Sequence, residues 1–377
     1  MILPYQFGVA IRTELRLLGR AEISVSVGQR VDLDTVVGYE DVPVEPVIVD
    51  VAGALRQSPS EAAGSLVVVP GTRVSKGDVL ARAGSQRSLR ECRSPESGVL
   101  ASYASATGLA TLVREGDRRE VRARTPGIVV EIAPGRAIVT ETTGAWVSGV
   151  WGAGGVVGGV VRTAGNGPST ELDPRAIDGR YTHSILIAGG SISAAALLRC
   201  AELEVRAVIV GGVTSSALTV AAAGNRRSIS LPEALYSLGR AQSNLPPLPA
   251  LMLIDGFGST SMPEEAWDVL ARCDGREAAL FAPGRPETPR IVVQLPRREV
   301  PQPRPLREGV IREGAIVRVT VGPQKGTTAR VVRYPYRPTP TLSGAAAEGV
   351  LLRTASGDEF VVPLLNLRLI EDPQSER

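Results

Sequence analysis

The side chains that carry most enzyme chemistry are few in this chain and stand far apart. A single histidine, His183, serves 377 residues, and no nucleophile, base and acid gather around it in the sequence. Asp255 has no second carboxylate close by, so general acid–base work by a carboxylate pair is not expected either. Cys92, Cys200 and Cys273 form no C-x-x-C pair, which argues against a zinc ribbon, an iron–sulfur cluster and a disulfide framework together. No cofactor and no metal are expected, the catalytic reading is weak, and scattered thiols suit a reducing cytoplasm.

Two other groups of residues have types and spacing that suit binding. The first is a set of strand-end turns. Gly189-Gly190-Ser191, Gly211-Gly212-Val213-Thr214 and Asp255-Gly256-Phe257-Gly258 each follow an apolar run. In an open parallel sheet such turns gather beyond the carboxyl ends of the strands, where helix-start amides favour an anion. Short strand-to-helix turns use Gly, Ser and Thr for structural reasons as well. Asp255 is able to accept from a ribose hydroxyl or a ligand amine, or to cap the turn Gly256 to Gly258; the turn is the reading taken.

The second group lies in the tail. Arg318, Lys325, Arg330, Arg333 and Arg337 bracket one stretch, with Tyr334 and Tyr336 interleaved. Arginine for phosphate and tyrosine for base stacking is the combination that single-stranded RNA binding uses. From Arg285 to Arg337 there are twelve positive residues against four negative, while the whole chain carries only +3. That imbalance attracts phosphate. Lys76 and Lys325 are the only lysines.

The elements that must position these residues change character along the chain. Hydrophobic residues at 43% and charged residues at 21% fit real cores, and 41 Gly with 28 Pro favour tight turns and short strands. The start, MILPYQFGVAIRTELRLLGR, lacks a basic head followed by a continuous apolar run, so no signal peptide is expected. The uncharged stretch Thr142 to Val161 has a bilayer-spanning length, yet its glycines suit packed strand and turn better than a membrane helix. Its run Gly152-Ala153-Gly154-Gly155-Val156-Val157-Gly158-Gly159 is followed by turn residues and not by a helix, which favours close backbone packing over a dinucleotide loop.

Over residues 1–165, short β-branched runs such as Val44 to Val51 and Ile128 to Ile132 alternate with Gly and Pro, the spacing of a small barrel or sandwich. A repeat is visible within it: VGQRVDLDTVV at Val27 returns 43 residues later as PGTRVSKGDVL at Pro70. From 183 to 296, strands and helices alternate. SILIAGG leads into a helix with Ser191 or Ser193 as N-cap, RAVIVGG follows, and Ser230-Leu231-Pro232-Glu233 has the form of a capping box. Ser261-Met262-Pro263-Glu264 opens the next helix, and Pro246 to Pro249 precede the strand ALMLIDGFG. A mostly parallel sheet covered on both faces is expected there. Residues 297–308 read as a basic, proline-rich linker, and 309–373 as a last β unit.

Two resemblances attach to these motifs. GTRVSKGDVLA followed by SPESGVL resembles the barrel-sandwich hybrid of biotinyl and lipoyl domains. The modified lysine of those carriers would fall in ARAGSQRSLRECR, which has none, so the resemblance implies a rigid platform with no attached group. EGAIVRVTVGPQKGTTARVVRYPY resembles a KOW module, the small SH3-like barrel of NusG-type transcription factors. Its matching residues are Gly314, Val317, Val319, Gly322, Pro323, Gly326 and Val331, with Ala329 in place of a usual glycine. This resemblance implies contact with RNA, ribosomal protein or polymerase. Together they predict a multi-domain α/β plus β chain acting as a non-catalytic cytoplasmic scaffold with protein partners and an RNA-contacting tail. The alternative is a small-ligand sensor or enzyme built on the central glycine turns.

Overall fold

The computed structural model describes residues 1–17, 21–41, 46–85, 88–113, 118–224, 229–240, 247–283, 287–341 and 344–374. Val44, Gln86, Arg87, Pro246 and Arg285, named above, lie outside them. Strands make up 47% of the chain and helices 15%, so the protein is mostly β, with several sheets, one of them mixed. No helix among the described residues is long and apolar enough to cross a membrane.

The repeated motif is a repeated structure. Gly28 and Gly71 take φ of +88° and +97°, a region that glycine enters without steric cost. Gly28 N donates to Val129 O and Gly71 N to Leu100 O, while Val129 N and Leu100 N donate back to Gln29 O and Thr72 O. Val31 faces Gly127 and Val74 faces Gly98. Each of the two following strands, Gly127–Ala133 and Gly98–Ala104, has its bulge at the matching place, Val130 in one and Ala101 in the other.

The two copies are nested. Strands Val36–Asp41 and Arg118–Arg122 pair antiparallel, and the second copy, 46–113, is the excursion between them. This inserted unit has its own apolar clusters, built from Val51, Leu55, Leu80, Leu100, Leu112 and their neighbours. The outer unit is continuous with the large sheet through Tyr5–Arg16 and Ala137–Ser148, which pair over their whole lengths.

In the large sheet, Ile185–Ile192, Ala207–Val213 and Ala250–Phe257 run parallel, as the strand–helix alternation predicts, and Gly155–Thr163, from the stretch assigned to residues 1–165, joins them in parallel. Glu277–Ala282 and Arg290–Gln294 then add antiparallel strands, so the expected mostly parallel sheet is one part of a mixed one. The sheet also closes on itself. Gly144–Ser148 pairs with Arg290–Gln294, and a few residues on, Trp151–Ala153 pairs with Ala250–Phe257. Inward residues from the long strands of this ring form one buried interior: Val147, Val161, Ile187, Ile209, Met252, Leu280 and Val293 among them. Alternation along each strand explains this, since every second side chain points inward.

Helices Ala194–Glu202, Ser215–Ala223 and Leu231–Ser237 cover the outer face of the parallel strands, burying Leu186, Val208, Val210 and Leu253. The capping box holds: Glu233 N donates to Ser230 Oγ and Ser230 N to Glu233 Oε2. The helix Glu264–Ala271 starts differently from expectation, with Pro263 at its N-cap position and no side-chain cap from Ser261. The glycine run is packed strand. At Gly158 an added Cβ would lie 2.8 Å from Leu33 Cδ1, and at Gly159 3.1 Å from His183 O.

The last unit is a five-stranded antiparallel sheet in the order Glu359–Pro363, Ala346–Arg353, Thr328–Pro340, Ile316–Val319, Leu367–Glu371. Its core of Val317, Val319, Val331, Val350, Leu352 and Leu369 also takes in Leu3. The stretch before it lies along the rest of the protein. Arg304–Pro305 pairs with Val9–Ala10, Leu3 N donates to Arg307 O, and the Met1 amine donates to Gly309 O.

Candidate functional site

Where the last unit meets the closed sheet, three of its cations converge on one strand end. Arg318, on Ile316–Val319, donates from Nε to Asp255 Oδ1 at 2.6 Å, with only 16% and 3% of the two side chains exposed. Lys325 Nζ donates to Phe257 O at 2.6 Å. Arg368 donates to Ile254 O at 3.1 Å, to Ser148 Oγ at 2.7 Å and to Ser148 O, and its guanidinium lies 5.3 Å from the Tyr5 ring centre. Burial pulls the Arg368 guanidinium below its usual pKa and pushes the Tyr5 phenol up.

Three residues singled out in the sequence meet at this junction. Asp255 does not cap the turn that follows it; its carboxylate is taken by Arg318. Arg318 and Lys325, grouped above with the phosphate-binding residues, each direct one donor to the chain's own strand end. A buried carboxylate needs a positive, hydrogen-bonded partner, and the tail supplies it.

The remaining tail residues face outward along Thr328–Pro340. Arg330, Arg333 and Arg337 are exposed, Arg330 with one bond to Gly314 O at 3.3 Å. Arg337 lies 5.8 Å from the ring centre of half-buried Tyr336. Tyr334 belongs to the rim of the core; its hydroxyl donates to Glu348 Oε2 at 2.7 Å, and that bond pushes its pKa up. Beyond Tyr336 the hairpin is two-stranded, with Thr339 opposite Ala347 and Pro340 opposite Ala346. The outward set is therefore Arg330, Arg333, Tyr336 and Arg337.

At Gly189, Gly190, Gly211 and Gly212 the protein itself fills the space a side chain would need, while the space beside Gly258 is open. A Cβ on Gly211 would meet Met262 N at 2.5 Å and the carbonyls of Gly190 and Thr260 at 2.6 Å; one on Gly212 would meet Gly256 O at 2.6 Å. Gly189, at φ +91°, would meet Gly167 O at 2.5 Å, and Gly190 would meet Ser169 C at 2.8 Å. Gly256 faces Lys325 Nζ, 3.4 Å from where its Cβ would be, and Gly258 takes φ +115°. Ser193 and Thr214 are the N-caps of Ala194–Glu202 and Ser215–Ala223, accepting from Ala196 N and Ala217 N. With Glu171, Ser191, Ser216 and Ser259 they line a cleft of about 330 Å³ at the carboxyl ends of the parallel strands.

The groups able to do covalent chemistry do not converge. Cys92, Cys200 and Cys273 are buried in separate clusters, and burial pushes the Cys200 and Cys273 thiols up to about 12. His183 sits at φ +58° with Nε2 3.5 Å from Glu204. It borders a second cleft of about 850 Å³ between the outer β unit and the glycine strand, lined also by Arg119, Arg122, Arg124 and Arg206. Among the described residues no group of three His, Cys, Asp or Glu is placed to hold a metal ion. Sequence reasoning missed Arg368, Ser148 and Tyr5, because no local pattern marks a bond spanning 220 residues. No known family model matches this sequence, and no curated protein is significantly similar to it.

Proposed function

We propose that the chain is a non-catalytic cytoplasmic scaffold subunit that joins a larger assembly, with Thr328–Pro340 contacting single-stranded RNA within it. On this reading the nested β units are barrel-sandwich hybrids without a modified lysine, and the last unit is a KOW-like SH3 barrel. The observation that carries the proposal is the division of labour among the tail cations. Arg318, Lys325 and Arg368 bind inward and fix the unit, while Arg330, Arg333, Arg337 and Tyr336 remain outward on one strand. Guanidinium groups with a neighbouring aromatic ring suit phosphate contact and base stacking, and a fixed platform lowers the entropy cost of presenting them.

The test is fluorescence anisotropy of labelled single-stranded RNA at several salt concentrations. Affinity is expected to fall steeply with salt, and the combined Arg330→Ala, Arg333→Ala, Arg337→Ala variant to lower both affinity and slope. Weak binding that ignores salt and this variant would sink the proposal. A second reading, a small-anion sensor, rests on the hydroxyl-lined cleft between Ser193 and Thr214. Calorimetric titration with inorganic phosphate checks it, with Thr214→Val expected to abolish the heat of binding.

A further inference from the structure

A charged side chain drawn out of water needs a partner. Among the half-buried arginines, Arg199 donates to Ile177 O and Glu202, Arg276 to Glu299, Arg312 to Asp372, Arg318 to Asp255, and Arg368 to Ser148 and Ile254. Arg290 departs from this pattern. It is half-buried as they are, and burial pulls its guanidinium below the usual pKa, yet it makes no hydrogen bond and no ion pair. Its place in the fold explains why. Arg290 opens the strand Arg290–Gln294, where Ile291 points into the closed sheet and Arg290 therefore points out. Directly across on one side stands Phe281, and on the other Ser148, whose hydroxyl and carbonyl are taken by Arg368. The guanidinium carbon lies 4.5 Å from the Phe281 ring centre and 5.6 Å from that of Trp146. Cation–π attraction holds the group there and uses none of its N–H donors. Trp146, 8% exposed, adds an indole Nε1 that also lacks an acceptor. Exposed Glu287 acts on Arg290 through its charge without forming an ion pair with it, and residues 284–286, outside the described ones, are Gly, Arg and Pro and hold no carboxylate.

We infer that Arg290 anchors an oxyanion site on this outer face, taking a carboxylate or phosphate group through two parallel N–H···O bonds. A guanidinium pairs with both groups in this fork geometry, which a lysine ammonium cannot reproduce. Rings on two sides fix the fork in advance, so little side-chain freedom is lost on binding. The ligand supplies the acceptor that strands on either side withhold, and it removes the cost of an uncompensated charge beside apolar rings. The site uses no residue of Thr328–Pro340 and none of the cleft between Ser193 and Thr214. The inference therefore depends neither on RNA contact by the tail nor on the small-anion reading of that cleft.

Titration of the full chain with inorganic phosphate and with acetate, at ionic strength held constant with chloride, tests it. The readouts are tryptophan fluorescence, since Trp146 lies beside the guanidinium, and the thermal midpoint, which a ligand of the folded state raises. The wild type is expected to give a saturable fluorescence change and a raised midpoint; a response to phosphate alone marks a phosphorylated ligand, and one to acetate a carboxylate ligand. Arg290→Met keeps the bulk, removes the charge and is expected to lose both responses. Arg290→Lys keeps the charge without the fork and is expected to weaken binding about tenfold. Thr214→Val is expected to leave both responses intact, which separates this site from the cleft at Ser193. A wild type indifferent to both anions, or an equal response in Arg290→Met, would overturn the inference. So would a response that appears only in Glu287→Gln, because Glu287 would then be the partner of Arg290.

Discussion

Asp255 and Arg318 show how a single pair decides what a charged tail is for. Both side chains are nearly withdrawn from water, so their mutual bond offsets a large desolvation cost. Asp255→Ala is expected to destabilise by about 3–5 kcal/mol, since it strands a buried guanidinium. Adding Arg318→Met to it should recover most of that loss, which denaturant unfolding of the two variants will measure. A second carboxylate makes its own pH signature. The Arg312 guanidinium, helped by the amides of Val310 and Gln374, holds the buried Asp372 carboxyl at about 2. Its folded pKa is thus depressed, so its stabilisation is complete above the ordinary carboxylate range near pH 4 and is lost as pH falls toward 2. Asp372→Asn is expected to flatten that part of the acid-unfolding profile, read as thermal midpoints against pH.

The strands and helices owe their close approach to glycines at particular places. Gly211 lies in Ala207–Val213 under the loop that carries Thr260 and Met262, and three backbone atoms occupy the space a side chain would need. Backbone cannot step aside as a side-chain tip can, so Gly211→Ala is expected to cost about 1–3 kcal/mol or more by overpacking. Unfolding midpoints will show it. The helix starts contribute in smaller amounts. Ser193→Ala and Thr214→Ala each remove one N-cap bond, worth about 1 kcal/mol. The repeat turns belong to this scale as well. Gly28 and Gly71 take similar positive φ values and make matching bonds, which is why the sequence repeat reads out as two matching turns.

At the scale of the molecule, the inserted unit 46–113 has its own core and hangs from two strands that pair with each other. Replacing 42–117 by a short turn should therefore leave a simple hairpin of Val36–Asp41 and Arg118–Arg122. The shortened protein is expected to keep the thermal transition of the remainder, followed by circular dichroism. Loss of all folding would show that the units depend on one another. The closed sheet and the last unit form the opposite case. Leu3, Arg307 and Gly309 tie the first residues to the stretch before the last unit, and Arg318, Lys325 and Arg368 tie that unit to Ala250–Phe257.

Much of this was legible in the amino-acid order. The repeat at Val27 and Pro70, the capping box at Ser230, the parallel strands with their helices and the packing role of the glycine run all rest on short-range rules, in which residues a few positions apart set the backbone. What those rules could not carry was long-range pairing. A carboxylate satisfies an arginine as well as a phosphate does, so nothing in the tail sequence says that Arg318 faces Asp255, 63 residues away, and not a nucleic acid. Nor does the spacing of apolar residues say that one repeat is threaded through a hairpin of the other, or that Trp151–Ala153 closes the sheet. The order of residues determined the local pieces; tertiary structure alone decided which charges hold them together and which stay at the surface.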